Sequence, residues 1–215
     1  FSSIKEIHQY PLYQKKNQHI IHAAQNFLKN QINLDVDSNP NITIDEQILK
    51  SNKIKNFSSE YKSILLGIGG SGETKRIPSK IFLKFMELCG EENKYKFYLA
   101  TGNSNSEQKI LKEILNSKFK PHCISLDHLN ISETLPYIKN CNIAICNDSS
   151  FSHLSAALGL PTIVLMADTP LIYGSYSPKM FPIIPDGLDY VTHNSKAKHQ
   201  INPNKIFKKF KSIID

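Results

Sequence analysis

Between Lys62 and Met166 the chain alternates four times between a strand-sized apolar run and a segment with helical periodicity, a rhythm that few folds accommodate. The runs are Ser63–Ile68, Lys96–Ala100, Cys123–Leu126, Asn142–Cys146 and Thr162–Met166, each bounded by turn residues. Between them lie Pro78–Cys89, Ser106–Leu115, Ile131–Ile138 and Ser150–Leu158, with apolar residues at three-and-four spacing. Strands and helices in this order predict an α/β fold, a Rossmann-like parallel sheet with right-handed crossovers and helices on both faces. Ligands of such sheets sit beyond the carboxyl ends of the strands, so the loops following each strand are the ones to read for chemistry.

The flanks differ. Residues 1–57 are polar and rich in Asn, Lys and Gln, with a helix expected around Gln18–Leu28 whose Ile20, Ile21, Ala24 and Leu28 share a face. The segment reads as a connector. His19 and His22 lie three apart on that helix, but with no carboxylate or Cys nearby they read as surface or partner-facing residues. The sequence opens at Phe1 with neither an initiator Met nor a signal-peptide pattern, so a piece of something longer is expected. After Met166 comes a Pro- and Gly-punctuated stretch, Ala167 to Lys198, and then a helix near Pro203–Ile214. There Ile206, Phe207, Phe210 and Ile214 form a stripe beside Lys205, Lys208, Lys209 and Lys211. This helix reads either as a docking helix with a solvated basic face or as a peripheral contact to an anionic membrane.

Composition removes several classes of function. Arg76 is the single arginine among 26 Lys and Arg residues, so the +7 charge rests on lysines, without the guanidinium forks that favour bidentate contacts to guanine. A nucleic-acid partner is not expected. No apolar run approaches the roughly 20 residues of a spanning helix. Cys89, Cys123, Cys141 and Cys146 show no CxxC spacing and sit in apolar surroundings, as reduced core thiols of a cytoplasmic protein do.

Two loops carry chemistry. The first follows Ser63–Ile68, and its Gly67, Gly69 and Gly72 satisfy GxGxxG. A dinucleotide oxidoreductase is nevertheless disfavoured: five residues separate Gly72 from Pro78, a good first helical position, and the second strand ends without the acid that holds a ribose. No Gly is followed by the Lys-Ser/Thr of a P-loop. What remains is a backbone-rich loop with hydroxyls and a Lys75-Arg76 pair, a cradle for phosphate oxygens. The second loop, Asn147-Asp148-Ser149-Ser150-Phe151-Ser152-His153, runs from a strand into a helix, where free N–H groups and the helix dipole attract anions. Asp148 is also a natural N-cap. A Ser–His–Asp hydrolase is disfavoured because no GxSxG elbow exposes a nucleophile. Glu73, Glu107, Asp127 and Asp168 lie on separate loops and are not twinned for acid/base work. Two anion-friendly loops facing one crevice suggest a diphosphate.

Lys75-Arg-Ile-Pro78, then Asn147-Asp-Ser-Ser-Phe-Ser-His153-Leu-Ser-Ala-Ala-Leu-Gly159-Leu-Pro161, then Ala167-Asp-Thr-Pro-Leu-Ile-Tyr-Gly174-Ser-Tyr-Ser-Pro178 together resemble glycosyltransferase family 9, the ADP-heptose:lipopolysaccharide heptosyltransferases. The likeness runs from about His8 to Pro178 and covers the carboxyl-terminal, donor-binding half of a GT-B enzyme. It implies three parts: residues 1–57 as linker and remnant of the acceptor-side domain, 58–198 as a nucleotide-sugar-binding domain, and 199–215 as a docking helix. It implies a metal-independent transferase without cofactor, moving a sugar with inversion from a nucleotide sugar such as ADP-heptose to a lipid-linked surface-glycan acceptor at the cytoplasmic face of the inner membrane. Lys75, with Arg76 beside it, would neutralise the diphosphate, Ser71 and Thr74 adding hydroxyl or backbone contacts. Asp148 would hold sugar hydroxyls, the amides of Ser149 and Ser150 would bind phosphate, His153 would support that turn or touch the phosphate, and Glu107 would reach the ribose. Three departures stand out: Ser149-Ser150 replaces the usual Thr-Gly, Ile77 replaces the usual Trp, and the amino-terminal domain that supplies the catalytic base is not in this sequence. The alternative is a nucleotide-binding or partner-binding module with no catalysis of its own.

Overall fold

The computed structural model describes residues 5–10, 19–49, 57, 60–90 and 94–215. Its centre is one parallel sheet of β1 (Lys62–Gly67), β2 (Tyr95–Ala100), β3 (Cys123–Ser125), β4 (Ile143–Asn147), β5 (Thr162–Leu165) and β6 (Met180–Ile183), in the order β3-β2-β1-β4-β5-β6. The chain starts in the middle at β1, steps outward to β3, then returns to lay β4 against the other side of β1. That reversal opens a crevice between the carboxyl ends of β1 and β4, the place where doubly wound sheets take ligands.

Helices α3 (Ser79–Leu88), α4 (Asn105–Leu115), α5 (Ile131–Asn140) and α6 (Ser150–Ala157) connect the first five strands. The period-2 alternation of β1 divides the core between the two faces of the sheet. Ile64 and Leu66 join Phe82, Phe85, Leu111 and Phe210 on one side. Leu65 points the other way, into a cluster with Tyr98, Ile138, Ala144 and Leu158. Both faces are therefore covered, as the strand-helix alternation implied.

Three details depart from the sequence reading. The stretch 167–198 holds a sixth strand, pairing with β5 through Thr162↔Met180 to Leu165↔Ile183. Pro182 hides this strand from propensity reasoning, yet β6 is the sheet's outer edge, where a residue without an N–H is tolerated. Pro78 is the N-cap of α3, not its first helical residue, with ψ of 145°. Ser149, not Asp148, occupies the N-cap position of α6.

At the amino-terminal side, α1 spans Ile20–Ile32, four residues beyond the expected end, and closes on Asn33 in the left-handed region (φ 52°). Gln18, the expected start, lies outside the described residues. His19 uses its ring Nδ1 on Ile172 O at 2.9 Å. Next come α2 (Glu46–Leu49) and a segment that lies on the sheet domain: Ile42 N–H donates to Ala157 O at 2.9 Å, and the Phe57 ring stacks on Tyr98 at 4.5 Å. At the other end α7 (Pro203–Ile214) buries Ile206 and Phe210, the latter edge-on to Phe85 at 5.4 Å. Much of its basic face is engaged within the chain. Lys205 pairs with Asp186, Lys211 with Asp215 at 2.8 Å, and Lys209 sits 5.7 Å over the Phe181 ring. Among the described residues no helix is long and apolar enough to cross a membrane. The four cysteines are free thiols, and burial pushes those of Cys89, Cys123 and Cys146 up to about 12.

Candidate functional site

The crevice is shaped first by what holds the glycine loop. Asn147, the last residue of β4, has no exposed surface. Its Nδ2 donates to Ile68 O at 2.9 Å and Gly69 O at 3.1 Å, and its Oδ1 accepts from Ile77 N–H at 3.4 Å. One amide side chain thus pins both ends of the loop from beneath. A hydrophobic residue there would leave those backbone groups without partners.

A second clamp comes from the side. Glu107 is the N3 residue of a capping box on Ser104 at the start of α4. Its carboxylate accepts from Ser104 Oγ at 2.6 Å and from the amides of Gly70 at 2.8 Å, Gly102 at 3.3 Å and Ser104 at 3.3 Å. Burial pushes this carboxyl up, but the four donors outweigh it and hold it below its ordinary 4.5. The glycines follow from this arrangement: a Cβ on Gly69 would stand 2.8 Å from Glu107 Oε1 and 2.9 Å from the backbone of Thr101 and Gly102, and one on Gly102 would stand 2.7 Å from Glu107 Oε2. The third hold is Arg76, whose Nη1 donates to Gly70 O at 2.8 Å. The only guanidinium in the chain is thereby turned onto its own loop, while its neighbour points elsewhere.

Lys75, in the 3₁₀ turn Glu73–Lys75, reaches across the crevice to Asp148, Nζ to Oδ2 2.9 Å. The Asp148 side chain is only 5% exposed, and its Oδ1 lies 4.0 Å from His153 Nε2. On the far side of that ring, Nδ1 meets Tyr176 Oη at 2.6 Å. Burial, with Lys75 adding to it and Asp148 opposing it, holds the imidazole below its ordinary 6.5. Lys75, Asp148, His153 and Tyr176 thus form one polar cluster fed by the loops after β1, β4 and β5. The turn carrying Lys75 is tied down by Lys198 Nζ, which donates to Glu73 O at 2.9 Å.

The amino end of α6 stands between this cluster and a cleft of about 840 Å³. Apolar Leu126, Leu129, Ile131 and Phe151 supply a wall of the cleft, and Ser71, Glu107, Ser149 and Ser150 also line it. Ser149 Oγ is buried with no hydrogen-bond partner among the described residues. Thr74 shares the 3₁₀ turn with Lys75 and does not line the cleft. The sequence-derived residues therefore converge on one crevice in two adjoining parts, a cleft with an apolar wall and a charged corner. Asn147 and Tyr176 stand in the same crevice, and the sequence reading assigns neither of them a role. A polar residue closing an otherwise apolar strand was a usable signal for Asn147; Tyr176, 23 residues from His153, offered none. Among the described residues no group of three or more His, Cys, Asp or Glu side chains is placed to hold a metal ion.

Comparison with known proteins identifies the family and the fold. The profile of glycosyltransferase family 9 (heptosyltransferase) matches residues 6–210. Lipopolysaccharide heptosyltransferase 1 of Campylobacter coli is 29% identical over 154 residues, which cover 67% of this chain and 43% of that protein. Lipooligosaccharide heptosyltransferase 2 of Haemophilus influenzae is 25% identical over 116 residues, 54% of this chain and 32% of that one. The chain spans less than half the length of either relative. Two E. coli structures share the fold. ADP-heptose LPS heptosyltransferase II superposes with a TM-score of 0.66 at 20% identity, covering 81% of this chain and 53% of that one. Heptosyltransferase WaaC with ADP gives 0.67 at 15%, covering 93% and 57%. The profile match spans the range that contains every loop of the crevice, and the chain belongs to glycosyltransferase family 9.

Proposed function

We propose that this chain forms the donor-binding half of an inverting GT-B glycosyltransferase that takes a nucleotide-diphosphate sugar, ADP-heptose in the relatives' chemistry, and passes the sugar to a lipopolysaccharide or other surface-glycan acceptor. The observation that carries this reading is the convergence of the α6 amino end and Lys75 at one corner of the crevice, next to a cleft of nucleoside size with an apolar wall. In this reading the diphosphate lies over the amides of Ser149 and Ser150, where the dipole and N–H groups of α6 favour negative charge. The nucleoside occupies the cleft, its base against Leu126 and Leu129 and its ribose toward Glu107. Ser71 and Thr74 line the approach to the phosphates, and Arg76 supports it by holding Gly70 O.

Attack of an acceptor hydroxyl on the anomeric carbon, in line with the leaving oxygen, places growing charge on the nucleoside diphosphate. Lys75 Nζ and the α6 amides meet that charge where it develops, so the transfer needs no metal. Asp148 holds sugar hydroxyls, and His153 stands beside it over the phosphates. The base that takes the acceptor's proton comes from an amino-terminal acceptor domain. We assign residues 1–57 to the linker and the edge of that domain, 58–198 to donor binding and 199–215 to a docking helix. The chain works at the cytoplasmic face of the inner membrane, where the lipid-linked acceptor is within reach.

Titration calorimetry with ADP, ADP-heptose and NAD tests the reading. ADP and ADP-heptose are expected to bind at the same site and NAD not to bind; a chain that takes up neither ADP species refutes it.

A further inference from the structure

Tyr176 stands in the loop between β5 and β6, where a helix is replaced by the 3₁₀ turn Leu171–Tyr173 and a short connection. Its ring is anchored against the cluster of Ala156, Val164, Met166 and Met180. The next hydroxyl in the loop is also tied down, Ser175 Oγ donating to Leu171 O at 2.7 Å. The phenol is thus held in place before any ligand arrives, and it is held 2.6 Å from one ring nitrogen of His153.

A neutral imidazole has one N–H and one bare nitrogen, and the hydrogen bond at one nitrogen decides the state of the other. Two arrangements are available here. If Nδ1 carries the proton and donates to the phenol, Nε2 turns a lone pair toward the Asp148 carboxylate 4.0 Å away, and the phenol proton has no other acceptor among the described residues. If the phenol donates to Nδ1, Nε2 carries the proton and turns an N–H dipole toward that carboxylate. Only the second gives the phenol proton a partner and turns an N–H, and not a lone pair, toward the carboxylate. We propose that Tyr176 is a positioning residue that locks His153 in the tautomer with its proton on Nε2, presenting a neutral N–H donor to the charged corner of the crevice.

At 4.0 Å that N–H is too far from Asp148 Oδ1 for a hydrogen bond, so it remains an unspent donor in the ligand-free site. It faces the corner already occupied by Lys75 and the amino end of α6, and the ligand chemistry it suits is an anionic oxygen of a phosphate. The neutral state is favoured by the surroundings: burial and Lys75 resist an imidazolium, and Asp148 alone supports one. The phenol keeps its proton, because burial and the Asp148 charge raise its pKa. The role assigned to the donor rests on the nucleotide-sugar reading; the tautomer does not.

The test uses the whole chain with ¹⁵N-labelled histidine, His153→Gln identifying the resonances of that ring. Wild-type His153 is expected to show a protonated Nε2 and a bare Nδ1. In Tyr176→Phe the ring keeps its packing but the phenol donor is gone, so the tautomers are expected to mix and ADP affinity to fall about three- to tenfold, the worth of one oriented hydrogen bond. A wild-type proton on Nδ1 overturns the proposal even if the variant does not fold, as does a Tyr176→Phe protein whose tautomer and affinity match the wild type. If the wild type binds no ADP, the donor-site reading falls, and the tautomer spectrum alone decides the role of Tyr176.

Discussion

Replacing Asn147 by Asp changes almost no volume and reverses the chemistry of the clamp. The Nδ2 group that donates to Ile68 O at 2.9 Å and Gly69 O at 3.1 Å becomes an oxygen facing two carbonyl oxygens, at a position with no solvent exposure. An ionised carboxylate there is repelled on two sides and has lost its water, so the folded protein must hold the acid protonated. At pH 7, about three pH units above the ordinary Asp value of roughly 3.9, that protonation costs about 4 kcal/mol. The protonated acid offers one O–H where the amide offered two N–H groups, so one hydrogen bond is lost, adding about 1 kcal/mol. The expected loss of unfolding free energy is therefore about 5 kcal/mol at pH 7. Because the folded-state pKa is raised, the deficit is fully present at neutral pH and shrinks as pH falls toward 4, leaving about 1 kcal/mol. Asn147→Ala loses all three side-chain bonds at every pH and is expected to cost about 1–3 kcal/mol without that dependence. Urea denaturation of the three proteins at several pH values measures this. A variant within 1 kcal/mol of wild type at pH 7, or a deficit that does not change with pH, would refute the claim that Asn147 serves as a double donor beneath the glycine loop.

Other outcomes follow from neighbouring contacts. Lys75→Met is expected to weaken ADP binding by about 1.5–3 kcal/mol, the worth of a charged hydrogen bond, and also to destabilise the chain by leaving buried Asp148 unpaired. Adding Asp148→Asn should restore stability in thermal melts but not the lysine's share of affinity in calorimetry; recovery of both would mean that Lys75 serves Asp148 only. Gly102→Ala drives a Cβ into the Glu107 carboxylate and should cost about 1–3 kcal/mol in urea denaturation, whereas Gly159→Ala meets no atom within 4 Å and suffers only from its positive φ of 84°. Equal losses at the two sites would count against the packed carboxylate. For His153 the folded-state pKa is depressed, so the unfolded chain takes up the proton first. Its contribution to stability is intact above about 6.5 and lost as pH falls below that value. His153→Gln should flatten this part of the stability–pH curve, and an unchanged slope would place the ring in water.

Strands buried on both faces announce themselves as apolar runs, so β1, β2, β4 and β5 were legible from residue types alone. β6 was not, because Met180-Phe-Pro-Ile reads as a broken run unless its edge position is known. The same divide separates the site residues. Lys75 and Asp148 were named from their loops, but their 2.9 Å pairing joins positions 73 residues apart and has no local signature. Arg76 reads in the sequence as a twin of Lys75; Lys75 closes the 3₁₀ turn and Arg76 is the extended residue after it, and only Lys75 crosses the crevice. For Glu107 the local signature was present, since Ser104-x-x-Glu107 is a capping box, and the structure adds that the same carboxylate also holds Gly70 and Gly102. Long-range partners such as Asn147 and Tyr176 depend on topology, which periodicity constrains without specifying contacts.

The ion pair between Lys75 and Asp148 has a consequence for selectivity. A crevice that keeps its cation already matched to a carboxylate has little net attraction for passing anions, so a ligand gains only the difference between its own hold on the ammonium and that of Asp148. A lone inorganic phosphate offers little advantage in that exchange. A ligand that anchors itself in the adjoining cleft, and brings hydroxyls to occupy the carboxylate it displaces, leaves both partners satisfied. On the donor-site reading proposed above, the resident counterion acts as a threshold, favouring molecules that carry a nucleoside at one end and a polyol at the other over smaller phosphates.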